Sequence, residues 1–318
     1  MNKLTLSNAF HSYFHNKYSF DDFCSIDTHE HYKEIFYSKN TFSPSSKLKD
    51  YQRFLNLFIF EKLPINERVV FSYRKGYHAK DAIEPHKHHK YILNSDIKSF
   101  FLNVSIQRLK EIILNAKDKT LILAEDIEKS IEQIMNIITY NDILPIGSPS
   151  SPLISNAYLF ELDNEVEKLC MESNIAFTRY SDDFIFSSNN QQELKSIFDK
   201  FQEIVKEYGF TINDKKTKLQ TQGANKVVLL GLVLTSQGFI TVDKQHKREI
   251  EVLLHFYLTD KEKFKRYFAD KYDSNVQKVS GLLSHISSID SFYVAKLKRK
   301  YGSFIVNSFI HRDVDVKF

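Results

Sequence analysis

With 318 residues, 42% hydrophobic and 26% charged, the chain has material for a sizeable buried core, which excludes a disordered or collagenous polymer. A net charge of +4 is too mild to announce a polyanion binder by itself. Only two cysteines, Cys24 and Cys170, occur, which excludes a disulfide framework or a zinc pattern and points to a reducing cytoplasm.

The first residues, M-N-K-L-T-L-S-N, lack the apolar core of a signal peptide. The longest uncharged stretch, 143–160, is broken by Pro145, Gly147, Pro149 and Pro152, so no membrane span is expected. Residues 1–38 mix aromatics with His and Asp and predict short helices. Over 41–63, Tyr51, Phe54, Leu55, Phe58 and Ile59 form a helical stripe, with Ser45-Ser46 after Pro44 as its start. V-V-F-S-Y-R-K-G (69–76) reads as a strand followed by a basic turn at Arg74 and Lys75. His78, His86, His88 and His89 follow, and without cysteines nearby they are expected in a surface loop.

Residues 91–101, Y-I-L-N-S-D-I-K-S-F-F, predict an apolar strand ending at Asp96. Helical spacing runs through Leu109, Ile112 and Ile113, then Ile127, Ile131, Ile134 and Ile138. L-P-I-G-S-P-S-S-P-L-I-S-N (144–156) is a Gly/Pro turn feeding a helix that continues to about Cys170. Gly147 there has no side chain to block a close approach of backbone.

Residues 175–187, I-A-F-T-R-Y-S-D-D-F-I-F-S, place β-prone runs on both sides of a short polar break and predict a hairpin with Asp182 and Asp183 at its tip. Adjacent carboxylates repel and are best tolerated in solvent or beside a cation. A solvated turn is the plain alternative. Asp96 shifts the balance, because a strand-end Asp and an Asp pair at a hairpin tip can converge on divalent cations. Mg²⁺ takes one or two carboxylates plus substrate phosphates, and two such ions can clamp the oxygens of a phosphoryl transfer.

Further on, 194–208 predicts an amphipathic helix, and G-F-T-I-N-D-K-K-T (209–217) follows it. V-V-L-L-G-L-V-L (227–234) predicts a strand pair interrupted at Gly231. Residues 244–318 are helical by periodicity and end in a basic run, Lys296, Lys298, Arg299 and Lys300. This stretch holds 15 Lys/Arg against 9 Asp/Glu, a net of +6, which leaves −2 on the first 243 residues. The basic excess is expected where a polyanion is held.

Y-S-D-D, D-I-K-S-F-F and L-P-I-G-S-P-S-S-P-L-I-S-N, in their order and spacing, resemble the palm motifs of reverse transcriptases. The likeness covers about residues 39–301 and is nearest to bacterial retron and defence-associated, abortive-infection enzymes. It implies an α/β right-hand polymerase: N-terminal segment and fingers over 1–90; an antiparallel palm sheet carrying the YSDD hairpin, connecting helices and primer grip over 91–243; and a small helical, basic thumb over 244–318. The implied activity is RNA-directed DNA synthesis from dNTPs. Two Mg²⁺ would be held by Asp96 and Asp182, with Asp183 in support and the Ile97 carbonyl as a backbone ligand. Phe101 would lie under the incoming sugar and exclude a 2′-OH.

The same resemblance has Arg74 and Lys75 reaching the triphosphate or the template backbone, with Ile146 and Gly147 at the nucleotide, where the bare Gly147 lets backbone approach nucleotide and template closely. It gives Lys216, in preference to Lys215, the neutralisation or protonation of pyrophosphate. Lys39 matches a basic residue of the fingers. The histidine segment would contact RNA, and Lys296, Lys298, Arg299 and Lys300 would grip nucleic acid. The partners implied are a structured noncoding RNA template and the RNA–DNA product, in the bacterial cytoplasm, away from membranes, in antiphage defence. An effector protein or a homo-oligomer stays open.

Three departures stand out. Ala82-Ile83-Glu84-Pro85-His86 keeps the His of a retron Asn-Ala-x-x-His signature without its Asn-Ala. Leu229-Leu230-Gly231 replaces Val-Thr-Gly, and Ile146 stands where the family carries Gln. The last favours an alternative, template-independent or protein-primed DNA synthesis. A vestigial RNA-binding component is the non-enzymatic alternative, opposed by the intact Asp96, Asp182 and Asp183.

Overall fold

The computed structural model describes residues 3–35, 41–223, 226–267 and 272–312, without side chains for 272–275; Lys39 lies outside them. The chain divides into two compact units: Met1–Tyr77, Asn94–Phe186 and Gln191–Lys218 form the first, His78–Leu93, Ser187–Asn190 and Leu219–Phe318 the second. Among the described residues no helix is long and apolar enough to cross a membrane.

In the first unit, the helix Ser46–Phe58 starts at Ser45, whose hydroxyl accepts from the Leu48 amide, as the Ser-Ser signal predicts. Its buried Tyr51 and Phe54 pack into an aromatic cluster with Phe10, Phe14 and Phe23. The connecting helices are Ile106–Ala116, which buries Leu109 and Ile113 of its stripe, and Ala124–Ile138, which buries Ile127, Ile131, Ile134 and Ile138. Helices Ser151–Tyr158 and Phe160–Glu172 follow the Gly/Pro turn. The strands Ala176–Tyr180 and Asp183–Ser188 are neighbours joined by Ser181-Asp182, and the strand Tyr91–Asp96 lies beside the second of them. Phe184, Phe186 and Phe201, the last on the helix Gln191–Glu207, bury the sheet's inner face.

One expected strand is not formed. Residues 69–76 make a single parallel bridge, Val70 with Arg179, and otherwise turn. The amides of Val69 and Val70 both bond the Asn66 carbonyl, which curls the chain before a ladder can extend.

The second unit holds a three-stranded antiparallel sheet, Val227–Leu229, Leu232–Leu234 and Ile240–Val242, with Leu229 opposite Leu232 and Leu234 opposite Ile240. The helices Lys244–Thr259, Lys261–Arg266, Tyr272–Ile289, Ser291–Tyr301 and Ser303–His311 follow. Leu253, Leu283, Ile286, Leu297 and Phe309 are buried among them. In the histidine segment His78 and His88 lie exposed, as a surface loop would have them, and His86 is the correction to that expectation. His86 is fully buried, its Nδ1 2.6 Å from Ser187 Oγ, and His89 Nδ1 reaches the same hydroxyl at 2.8 Å.

Candidate active site

Asp96 ends its strand buried, at 3% exposure. Two backbone contacts fix its surroundings. The Ile97 amide donates to the Asp182 carbonyl (3.3 Å), which brings the hairpin tip beside Asp96. On the other side, Ile97 bridges antiparallel to Ile212; Lys98 N donates to Thr211 O and Asn213 N to Asp96 O, at 2.8 and 2.9 Å. The G-F-T-I-N-D-K-K-T segment is thereby laid along residues 96–98, and Ser95 Oγ meets Thr217 Oγ1 at 2.7 Å. This puts the Lys216 ammonium 2.5 Å from Asp96 Oδ2.

Asp96 Oδ1 is buried with no hydrogen-bond partner. An ionised carboxylate oxygen left so is costly unless a cation completes it. Asp182 and Asp183 are half-buried at the tip. Burial, then the charges of Asp182 and Asp96, push Asp183 up to about 6 against the opposing charge of Lys216. The hydrogen bond to Asp96 raises Lys216 above the ordinary lysine value, against a smaller effect of burial. The three carboxylates thus share one field of excess negative charge, held in part by a single lysine.

Among the described residues, no group of three or more His, Cys, Asp or Glu forms a ready metal cage. The donors fit a different kind of site, in which one or two carboxylates hold a hard cation that waters and substrate phosphates complete. The orphaned Asp96 Oδ1 is the observation that favours it.

The other predicted residues are placed as follows. Phe100 and Phe101 occupy one short turn; Phe100 is buried against Phe210, while Phe101 remains half-exposed. Gly147 has a φ of +104°, and a Cβ there would meet the Phe42 carbonyl at 2.4 Å, so the glycine is required by the chain's own packing. Ile146 is 38% exposed, and its carbonyl accepts from Phe42 N. Arg74 closes its own turn: Nη1 donates to the carbonyls of Glu67 and Val70, and the guanidinium stacks over Tyr77. Lys75 is exposed.

In the second unit, Lys296, Lys298, Arg299 and Lys300 lie on the helix Ser291–Tyr301, where Lys300 is paired with Glu251 at 2.6 Å.

Sequence reasoning missed Arg179, fully buried in the hairpin's first strand and paired through Nε and Nη2 with both carboxylate oxygens of Asp163 at 2.6 Å. Burial pushes Asp163 up, and the Arg179 charge and hydrogen bonds oppose that. A lone Arg inside an apolar strand was the available signal.

The sequence matches the profile of the family described as reverse transcriptase (RNA-dependent DNA polymerase) over residues 40–253. It is 31% identical over 274 residues to the retron Ec73 reverse transcriptase of Escherichia coli, spanning 83% of each chain. To the retron Ec86 reverse transcriptase of the same organism it is 26% identical, over 83% of this chain and 78% of that one. Among solved structures, a foamy viral protease–reverse transcriptase in complex with double-stranded DNA aligns at 18% identity with a TM-score of 0.40. That alignment covers 82% of this chain and 40% of that one.

Proposed function

The chain belongs to the reverse transcriptase family and is an RNA-directed DNA polymerase, and on that premise we propose that Asp96, Asp182 and Asp183 form the catalytic centre of that activity. The observation that carries the assignment is the buried, unpartnered Asp96 Oδ1 beside the Asp182-Asp183 tip. Reverse transcriptases use divalent metal ions. Here two Mg²⁺ would be held by Asp96 and Asp182, with Asp183 and the Ile97 carbonyl completing the protein's share. Held there, the ions would supply charge neutralisation to the phosphoryl transfer.

The chain's own groups do the rest. In the reaction a primer 3′-oxygen bonds to the α-phosphorus of a dNTP, while the bond to the bridging oxygen of the β-phosphate breaks and pyrophosphate leaves. Lys216, held protonated by Asp96, supplies positive charge or a proton to that leaving group. Phe101, half-exposed where Phe100 is buried, stands under the sugar and blocks a 2′-OH. Lys75 faces the triphosphate or template, Arg74 is turned into its own loop and acts by shaping that turn, and Ile146 and Gly147 border the nucleotide. Positioning and electrostatics account for most of the acceleration.

The fingers, palm and thumb divide near residues 90 and 243. The basic helix bearing Lys296, Lys298, Arg299 and Lys300 grips a structured noncoding RNA or its RNA–DNA product. Resemblance to retron and abortive-infection enzymes supports a role in bacterial antiphage defence, in the cytoplasm. Purified protein with its co-purified RNA, given labelled dNTPs, should make DNA that ribonuclease pretreatment abolishes. Ile146, apolar and exposed, favours a second reading, template-independent or protein-primed synthesis, in which ribonuclease changes nothing.

A further inference from the structure

Arg179 is fully buried, yet it makes more polar contacts than its ion pair needs. Nε and Nη2 take Asp163, while Nη1 donates to the Ser181 carbonyl at 2.7 Å and to Asn156 Oδ1 at 3.1 Å. Asn156 Nδ2 in turn donates to the Ser72 carbonyl at 2.9 Å. The Arg179 backbone is clamped as well: its amide donates to Val69 O at 2.7 Å, and its carbonyl accepts from Phe71 N at 3.1 Å.

The residue that receives Nη1 is the strained one. Ser181 has a φ of +58°, a left-handed conformation that a non-glycine residue adopts at a cost and keeps only when its surroundings impose it. From outside, Ser181 Oγ meets the Tyr73 hydroxyl at 2.8 Å, and Tyr73 also has a φ of +58°. The tip carrying Asp182 and Asp183 is thus fastened from inside by a guanidinium and from outside by a phenol.

A buried ion pair is poor evidence of a stabilising role, because apolar groups of similar volume often replace one without loss. What such groups could not replace is the third donor. A guanidinium offers five N–H donors in a rigid fork, enough to serve Asp163, Asn156 and a backbone carbonyl together; a lysine ammonium has three donors on a flexible stem.

We infer that Arg179 is a positioning residue for the polymerase reaction, setting the strained turn that aims Asp182 and Asp183 at the cation shared with Asp96. The inference rests on the metal site proposed above. It concerns geometry at the tip, so it shows in cation affinity before it shows in folding.

The test uses the full-length protein and Mn²⁺ as a probe, with binding read by electron paramagnetic resonance from the loss of free aqueous Mn²⁺. Wild type should bind, and Asp182→Asn should bind markedly less. The double variant Asp163→Leu/Arg179→Met removes the ion pair and the donor together. It should melt close to wild type, yet bind Mn²⁺ about tenfold more weakly and need correspondingly more Mg²⁺ for half-maximal DNA synthesis, an expectation on the scale of one lost buried hydrogen bond to a positioning group. Arg179→Lys keeps the charge opposite Asp163, loses the fork, and should move both readouts the same way; it carries the test if the double variant does not fold. Folded variants with wild-type Mn²⁺ affinity and Mg²⁺ dependence would overturn the inference and leave Arg179 a core ion pair. A wild type that binds no Mn²⁺ would overturn the metal reading, and this inference with it.

Discussion

The Lys216 ammonium lies 2.5 Å from Asp96 Oδ2, while Oδ1 of the same buried carboxylate has no partner. One oxygen is thus neutralised by the chain itself, and the other is left open to a cation. Lys216→Ala should lower kcat by about 10²-fold, the scale of a lost general acid, and move the dNTP KM little. Single-turnover synthesis at saturating dNTP measures it. A rate within twofold of wild type would remove Lys216 from the chemistry.

Phe101 and Phe100 are neighbours with different surroundings, one half-exposed and the other buried at 2%. Phe101→Ala or Phe101→Val should therefore admit rNTPs while sparing dNTP use. The dNTP/rNTP preference should fall by about tenfold or more, the scale of steric discrimination in a small pocket. An unchanged ratio in competition assays would make Phe101 a packing residue only.

The basic helix Ser291–Tyr301 should hold nucleic acid through phosphates. Each phosphate contact contributes roughly −0.7 to −0.9 to the slope of log affinity against log salt. Lys300 is already paired with Glu251, so Lys298 and Arg299 should carry most of the effect. Replacing Lys298, Arg299 and Lys300 with Ala should flatten the slope by about 1.4 to 1.8 if two contacts are lost, with little dependence on sequence. Lys300→Ala alone should change it least. Equal slopes for wild type and the triple variant would leave these residues as solubilising charges.

His86 gives a stability signature of its own. Burial, and secondarily the charge of nearby His89, hold it down to about 3 in the folded protein, while Ser187 Oγ bonds both rings. His89 is lowered too, mainly by burial. An unfolded histidine titrates near 6.5, so below that pH the unfolded chain binds more protons and stability falls with pH, by up to about 1.4 kcal/mol per pH unit for each such group. Urea unfolding at pH 7, 6 and 5 should show this decline, and His86→Gln should flatten it. The same slope in both proteins would contradict the assignment.

The sequence made some of this plain and hid the rest for physical reasons. Asp96, Asp182 and Asp183 were legible because an apolar strand that stops at a carboxylate, and a hairpin that breaks at two, are local patterns. The helix start at Ser45 and the isoleucine stripes were legible for the same reason. His86 was misplaced because its burial depends on Ser187, 101 residues away. A lone Arg in an apolar strand hints at Arg179, but its partners Asp163 and Asn156 were hidden because no spacing relates a strand residue to two different helices. Gly147 reads from the sequence as room for a nucleotide and template, and the Phe42 carbonyl that also needs that room could come only from the folded chain.

The most direct test of the catalytic assignment compares wild type with Asp182→Asn, a change that keeps shape and removes a charge the cations need. Both proteins, purified with their bound RNA, would be given labelled dNTPs and Mg²⁺, and their folding checked by melting temperature. The account predicts ribonuclease-sensitive DNA synthesis by wild type and none by a variant that melts normally. Near-normal synthesis by folded Asp182→Asn protein would contradict it.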